Sequence, residues 1–209
     1  MLQIDVVSDV VCPWCFIGKR RLEVALGRLP GTPVSVRWRP FQLNPQLPEG
    51  GIAREEYVQS KFGGRADEIY ARVAQAGRTA GIEFAFDRIA RQPNTLAAHR
   101  LIRAAASAGC EDAMVECLFR GYFLEGADLT DRGALLELAA RAGLATGQAA
   151  LALDDSRLRA ELAAEEHQAR SLGVEGVPFF IMGGRVGVSG AQDPDVLAQA
   201  IEQALGRAA

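Results

Sequence analysis

Apolar residues follow different spacings in different parts of the chain. A short apolar run rich in Ile and Val predicts a buried strand over Leu2–Val7. Leucines that recur at i, i+4 and i+7 then predict a helix over Cys12–Leu29, ended by Pro30 and Gly31. Alternating apolar and polar positions predict a second strand over Val34–Phe41. This strand-helix-strand order favours a parallel strand pair with a right-handed crossover.

Helical spacing dominates the middle of the chain, after a stretch rich in Pro and Gly, NPQLPEGG, that begins at Asn44. Thr130 is the expected N-cap of one helix, and residues 82–87, IEFAFD, are expected to form a short extended piece. The predicted helices lie near Arg54–Phe62, Arg65–Ala80, Thr95–Ala108, Glu111–Leu124, Asp131–Ala142 and Ser156–Leu172. A helical block between two strand-forming ends indicates an insertion into an α/β domain.

The last part of the chain returns to strand patterning. Gly183-Gly184, between the predicted strands Phe179–Met182 and Arg185–Val188, is typical of a tight β-hairpin turn. An Asp-Pro pair then predicts the start of a closing helix. We therefore expect an α/β fold with one domain built from residues 1–50 and 174–209 and an α-helical insertion domain over residues 51–173.

Composition and charge exclude several classes of function. The 209 residues are 49% hydrophobic, with 26 acidic and 23 basic side chains and a net charge of −3. No overall positive field would hold nucleic acid or an anionic membrane, so neither is an expected partner. No apolar run approaches the length of a membrane span, and no basic segment precedes an apolar one at the N-terminus, so the expected compartment is the cytoplasm. Lys19, Arg20 and Arg21 are expected to be ordinary surface charges.

Two cysteines stand at the junction of the first predicted strand and helix, in VVCPWCFIGKR. Cys12 falls at the helix N-terminus, where unpaired N–H groups and the helix dipole favour a thiolate, and Pro13 suits the first helical position. Cys15 falls on the face of the leucine stripe, so we expect it to be buried. These positions predict an exposed, acidified Cys12 that reacts with substrate and a shielded Cys15 that resolves the mixed disulfide. Trp14 is expected to form an apolar platform beside the reactive sulfur.

The pair could also be half of a metal site or two unreactive buried sulfurs. A structural zinc site usually takes four ligands in two close pairs, whereas Cys110 and Cys117 are seven residues apart. His99 and His167 stand on separate predicted helices, so no metal site is expected. On one helix Cys110 and Cys117 would lie about 10.5 Å apart, too far for a disulfide, and we expect both to fill space in the helical block. We favour the redox interpretation.

The cysteine motif occurs together with PNTLAAHRL in the helical block and GVEGVPFFIMGGRVGVSGAQ near the C-terminus. The combination resembles the DsbA-like thioredoxin-fold oxidoreductases, and most closely their FrnE-like branch, which is related to 2-hydroxychromene-2-carboxylate isomerases and kappa-class glutathione transferases. The resemblance implies a thioredoxin fold with a large inserted α-helical domain. It also implies a cis bond between Val177 and Pro178 beside the cysteines, which would open the Val177 backbone to an extended substrate. The expected substrate-binding residues are Pro13, Trp14, Val177, Pro178, Asn94 and Thr95.

The predicted function is thiol-disulfide exchange with a protein or small thiol substrate through Cys12 and Cys15. No metal or organic cofactor is expected, and glutathione stays open as a co-substrate. Two alternatives also stay open: a glutathione-dependent isomerase or transferase acting on a small aromatic or polyketide-like molecule, and a redox-sensing binding protein without turnover. The related isomerases and transferases carry serine at the position of Cys12, which favours dithiol exchange here. In a reducing cytoplasm the expected direction is reduction or isomerisation.

Overall fold

The computed structural model describes residues 1–206. Its strands are β1 (Leu2–Ser8), β2 (Val34–Pro40), β3 (Ile52–Ala53), β4 (Arg91–Gln92), β5 (Phe179–Met182) and β6 (Val186–Ser189). The main sheet has the order β2-β1-β5-β6, and β3 pairs with β4 separately. β1 and β2 are parallel, as predicted, whereas β5 is antiparallel to both of its neighbours. Gly183 and Gly184 have φ values of 58° and 67°, the left-handed conformation that the predicted tight turn requires.

The helices lie mostly between the two parts of the chain that build the main sheet. They are α1 (Pro13–Gly27), α2 (Arg54–Phe62), α3 (Ala66–Thr79), α4 (Leu96–Ala108), α5 (Glu111–Arg120), α6 (Arg132–Arg141), α7 (Thr146–Asp154), α8 (Ser156–Ser171) and α9 (Pro194–Ala204). α5 continues into a π-helical turn over Gly121–Glu125. The division into domains at residues 50 and 173 stays a prediction, and residues 207–209 of its last part lie outside the described residues.

The two faces of β1 pack against different helices, because successive side chains of a strand point to opposite sides. Ile4 and Val6 are buried in the main core, which also takes in side chains of α1 and α9. Val7 points the other way and belongs to a smaller cluster with Ala169 of α8. β1 is therefore covered on both faces, and this packing holds in place the segment that leads from the end of β1 into α1.

Aromatic rings join α1 to the helical block. Phe16 of α1 lies nearly parallel to Phe119 of α5, with ring centroids 5.1 Å apart, and meets Phe84 edge-on at 6.1 Å. Phe123, in the π-helical turn, packs against the same three rings. Each such pair adds about 0.5–1.5 kcal/mol beyond the area it buries. Because Phe16 directly follows Cys15 in the chain, this cluster holds the start of α1 against the helical block.

A charge network joins the same two helices. Only 4% of the Lys19 side chain is exposed, and its ammonium lies 3.1 Å from Asp112 and 3.4 Å from Glu116. Glu23 is a further partner of Lys19 on α1 itself. The expectation that Lys19 is an ordinary surface charge is therefore wrong, because acidic side chains of α5, distant in sequence, surround its ammonium.

Three local predictions for the helical block are also wrong. α7 is absent from the predicted helices, because its Ala-rich sequence, TGQAALALD, presents no distinct apolar stripe. The N-cap of α6 is Asp131 and not Thr130, since the Asp131 carboxylate accepts the Ala134 N–H at 2.7 Å. Residues 82–85 have no regular structure, and Phe86 begins a 3-10 turn, so the expected extended piece is absent from residues 82–87.

Candidate active site

Cys12 immediately precedes α1 and caps it. Its φ and ψ of −92° and 111° are extended, and Pro13 occupies the first turn of the helix. The Cys12 carbonyl accepts a hydrogen bond from the Cys15 N–H at 3.0 Å. Cys12 therefore stands at the N-terminal end of α1, where the helix dipole is positive.

The Cys12 side chain turns toward the segment that precedes β5. Its Sγ donates a hydrogen bond to the Val177 carbonyl oxygen at 3.5 Å. Cys12 is only 5% exposed, so the prediction of an exposed thiol is wrong. The cause is tertiary: Val177, 165 residues further along the chain, lies directly against the sulfur.

Pro178 follows Val177 and packs against Gly18 of α1. The Val177–Pro178 bond is cis, the configuration that the resemblance implies. Pro178 is buried, and its carbonyl accepts the Gly190 N–H at 2.8 Å. A Cβ atom at Gly18 would lie only 3.0 Å from Pro178 Cγ, so a glycine at this position of α1 allows the proline to approach.

Cys15 is the inner member of the pair. It has no exposed surface, as the leucine stripe predicts. Burial, followed by the contact with Cys12, raises the pKa of Cys15 well above its usual value, while hydrogen bonds from Asp9 and Ser8 act in the opposite direction. Cys12 and Cys15 are both free thiols in this structure. The two sulfurs are therefore chemically unequal, because only Cys12 caps a helix beside open space.

A cleft of about 310 Å³ opens over Cys12. One wall consists of the cysteine motif and the segment before β5, and it includes Pro13, Trp14 and Val177, which were expected to bind substrate. Pro178 lies behind this wall. The opposite wall comes from α2 and α3, and its residues are Arg54, Tyr57, Lys61, Phe62, Ile69, Tyr70 and Val73.

Asn94 and Thr95 lie away from this lining. The Asn94 amide donates to the Leu47 carbonyl at 2.8 Å, and its Oδ1 accepts from Gln42 and from the Leu96 N–H, both at 3.0 Å. Thr95 is buried, and its hydroxyl accepts from Gln42 at 3.4 Å. The structure therefore does not bring these two residues to the cysteine cleft, because both are engaged in holding the loop after β2.

A buried carboxylate fixes the segment before Cys12. The Asp9 carbonyl accepts the Cys12 N–H at 3.0 Å, and Asp9 Oδ2 accepts the Leu43 N–H at 2.7 Å. The other carboxylate oxygen faces His99 Nε2 at 3.6 Å, without a hydrogen bond. Asp9 thereby ties the cysteine loop to Leu43, which lines the cleft.

The sequence predicts that the helical domain covers one side of the active site, but sequence reasoning named none of the α2 and α3 residues that form this wall. Arg54, Tyr57 and Lys61 occupy positions i, i+3 and i+7 of REEYVQSKF, so they share one helix face. That spacing is a detectable signal of a mixed cationic and aromatic face. The spacing does not predict that this face of α2 lies opposite Cys12, because no feature within α2 relates the helix to the cysteine motif.

The other cysteines stand apart from the site. Cys110 precedes α5 and Cys117 lies within it, and both are free, half-buried thiols packed against the core. Burial raises the pKa of Cys117. Among residues 1–206, no group of three or more His, Cys, Asp or Glu side chains is arranged to hold a metal ion. Over the same range, none of the helices combines the length and apolar character of a membrane span.

Residues 3–202 match the family model of the DSBA-like thioredoxin domain. The chain belongs to this family. The family and the thioredoxin fold expected from the cysteine motif and the Gly-Val-Pro segment are thus confirmed. As a DsbA-like protein, the chain is a member of an oxidoreductase family.

Individual DsbA-like and related proteins match over nearly the whole chain. The crystal structure of a probable DsbA oxidoreductase, SCO1869 from Streptomyces coelicolor, has a TM-score of 0.89 and 31% identity, covering 99% of this chain and 91% of that one. The cytosolic disulfide reductase DsbM from Pseudomonas aeruginosa has a TM-score of 0.67 and 25% identity, covering 98% of each chain. The uncharacterized protein YwbO of Bacillus subtilis (strain 168) is 28% identical over 206 residues, 96% of each chain.

Proposed function

We propose that this protein is a thiol-disulfide oxidoreductase that uses Cys12 and Cys15 as its redox dithiol. The observation that carries the proposal is the inequality of the two sulfurs. Cys12 caps α1 and lines the cleft, whereas Cys15 is fully buried one helical turn away. A dithiol enzyme requires two unequal sulfurs, because one sulfur must react with the substrate, whereas the other needs to reach only the first sulfur.

The reaction proceeds by two thiolate attacks. The Cys12 thiolate attacks one sulfur of a substrate disulfide, the substrate S–S bond breaks, and the other substrate sulfur leaves as a thiolate. Cys15 then loses its proton and attacks the Cys12 sulfur of the mixed disulfide, which releases the second substrate thiolate and forms the Cys12–Cys15 disulfide. Two electrons pass from the dithiol to the substrate, and a thiol reductant must return them. Glutathione is the reductant that we propose.

We assign the reducing direction and a cytoplasmic location to the protein. DsbM, at 25% identity, is described as a cytosolic disulfide reductase, which supports both assignments. Trp14 carries no cation, so the motif lacks a positive charge between the two cysteines that would favour an oxidising dithiol. Disulfides of a protein or of a small thiol are the substrates, and the cleft beside Val177 is where they bind.

Serine variants of the two cysteines test this function. The reduced protein is mixed with bis(2-hydroxyethyl) disulfide and followed by mass spectrometry. Cys15→Ser should accumulate a mixed disulfide on Cys12, and Cys12→Ser should show no exchange, while the control Cys117→Ser should behave as wild type. Glutathione-dependent isomerase or transferase turnover that survives Cys15→Ser would favour that alternative. Exchange that persists in Cys12→Ser would disprove the assignment.

A further inference from the structure

The wall opposite Cys12 carries two cations that no acidic side chain neutralises. None of the described residues that line the cleft is Asp or Glu, whereas Arg54 and Lys61 both face it. Within residues 1–206, neither cation forms an ion pair with a carboxylate. By contrast, Lys19 and Arg20, which follow the cysteine motif on α1, are each paired with carboxylates.

Neutral groups hold both cations in place. Arg54 donates to the Tyr70 hydroxyl at 2.6 Å and also to the Gln92 side-chain oxygen, and its guanidinium lies 5.3 Å from the Tyr70 ring centre. The Lys61 ammonium donates to the Tyr57 hydroxyl at 2.5 Å. Burial raises the pKa of Tyr70, so this partner is a neutral phenol. The cations are therefore oriented by groups that leave their positive charge uncompensated.

The size of the cleft limits the size of the molecule that the two cations can bind. A volume of about 310 Å³ lies at the lower end of the range for small-molecule sites. The rings of Tyr57 and Tyr70 flank the Arg54 guanidinium, and those of Tyr57 and Phe62 flank the Lys61 ammonium, so apolar surface lies beside both cations. A low-molecular-weight molecule with a carboxylate a few bonds from its sulfur matches both features.

We infer that Arg54 and Lys61 select small disulfides that bear carboxylates, by binding the carboxylate while Cys12 attacks the disulfide. This inference rests on the proposed function, because it names the substrate class of the same site. The cations do not take part in the electron transfer. They act as specificity residues, which raise the concentration of anionic disulfides at the sulfur and place the S–S bond beside it.

Three aliphatic disulfides of similar length test the inference: 3,3′-dithiodipropionate, which is anionic, bis(2-hydroxyethyl) disulfide, which is neutral, and cystamine, which is cationic. Each second-order rate with the reduced protein is divided by the rate of the same disulfide with dithiothreitol, which removes differences in intrinsic reactivity. We expect the normalised rates to fall in the order anionic, neutral, cationic. One ion pair of about 1 kcal/mol corresponds to roughly fivefold in rate, so two cations give roughly 25-fold between anionic and neutral probes.

Charge variants assign the preference to residues. Lys61→Gln, at an exposed position, should lower the anionic-to-neutral ratio by roughly fivefold. In the wild type, 1 M salt should lower the ratio similarly, because the screening length falls from about 8 Å to about 3 Å. Arg54→Gln should act likewise, with Arg54→Lys restoring most of the ratio. Arg65→Gln is the matched control, since it removes an exposed cation just after α2 that does not line the cleft, and it should change the ratio less than about twofold.

The outcomes separate this inference from the proposed function. Equal normalised rates for all three disulfides, each dependent on Cys12, would overturn the inference and leave the function standing. The inference also fails if Arg65→Gln lowers the ratio as much as Lys61→Gln, because the preference would then come from the general field of the protein. A preference found only with an acidic peptide disulfide would also overturn the assignment to small molecules. Absence of Cys12-dependent exchange with every probe would refute the function itself.

Discussion

Gly18→Ala tests whether α1 positions Val177 through Pro178. The added Cβ would lie 3.0 Å from Pro178 Cγ and 3.2 Å from Phe180 Cζ. Carbon atoms pack best at about 3.5–4.0 Å, so one side must move by several tenths of an ångström. Neither neighbour is free to yield, because Phe180 is fully buried and the Pro178 carbonyl is hydrogen-bonded to Gly190.

The expected magnitude combines two opposing effects. Overpacking a rigid site costs about 1–3 kcal/mol, whereas replacing a glycine by alanine inside a helix gains up to about 1 kcal/mol. Gly18→Ala should therefore lower the free energy of unfolding by about 1 kcal/mol. Gly27→Ala, in the last turn of the same helix, has no atom within 4 Å of the new Cβ and should raise the free energy by about 0.5 kcal/mol.

Urea unfolding of the two variants beside the wild type measures this difference. The rate of Cys12 alkylation by iodoacetamide, measured in the Cys117→Ser background, gives a second readout. Displacement of Pro178 weakens the 3.5 Å contact between Cys12 Sγ and the Val177 carbonyl, so alkylation should be faster in Gly18→Ala and unchanged in Gly27→Ala. If Gly18→Ala proved as stable as Gly27→Ala, the idea that a rigid contact positions Val177 would have to be abandoned.

Two further substitutions test a partly buried carboxyl group at the start of α5 and the amide that holds the loop after β2. Burial raises the pKa of Glu111 from 4.5 to about 7, so the folded protein holds this proton more tightly than the unfolded chain and loses stability as pH rises from about 4.5 to 7. The Gln side chain of Glu111→Gln can still accept the Trp38 N–H. Because Glu111 is partly exposed, we discount the full effect and expect the free energy of unfolding of the variant to rise by about 1 kcal/mol relative to wild type between pH 4 and pH 8, measured by urea unfolding. A difference that does not change with pH would refute this. Asn94→Ala removes the bonds to Leu47 and Gln42 and should cost about 1–2 kcal/mol, while kcat/KM for a model disulfide changes less than about threefold; a larger loss of activity without a loss of stability would restore Asn94 to substrate binding.

The features that the sequence predicts well are those fixed by local spacing. The leucine stripe of α1 predicts that Cys15, which lies on the same helix face, is buried, and Cys15 has no exposed surface. The parallel pair of β1 and β2 and the turn at Gly183-Gly184 follow from short-range patterns in the same way. Each of these features depends on side chains within one or two turns or strands of each other.

The features that sequence reasoning misses depend on contacts between distant segments. Cys12 is covered because Val177 meets it, and Lys19 is buried because α5 supplies carboxylates. Asn94 looked like a cleft residue because its segment resembles the family, yet its amide is engaged by the loop after β2. In each case the contact with a distant segment, and not the local sequence, decides whether the side chain is exposed, charged or reactive.

The origin of the two walls explains how one dithiol could serve different substrates. Cys12, Cys15 and Val177 come from the parts of the chain that build the main sheet, and contacts such as Gly18 against Pro178 leave their geometry little freedom. Arg54 and Lys61 come from α2, which has no fully buried residue, so its side chains are constrained less by packing. A change on α2 should therefore alter which disulfide is accepted while the dithiol stays intact, whereas a change at Gly18 should disturb every substrate alike. The ratio of anionic to neutral rates distinguishes the two effects, because only substitutions on α2 should change it.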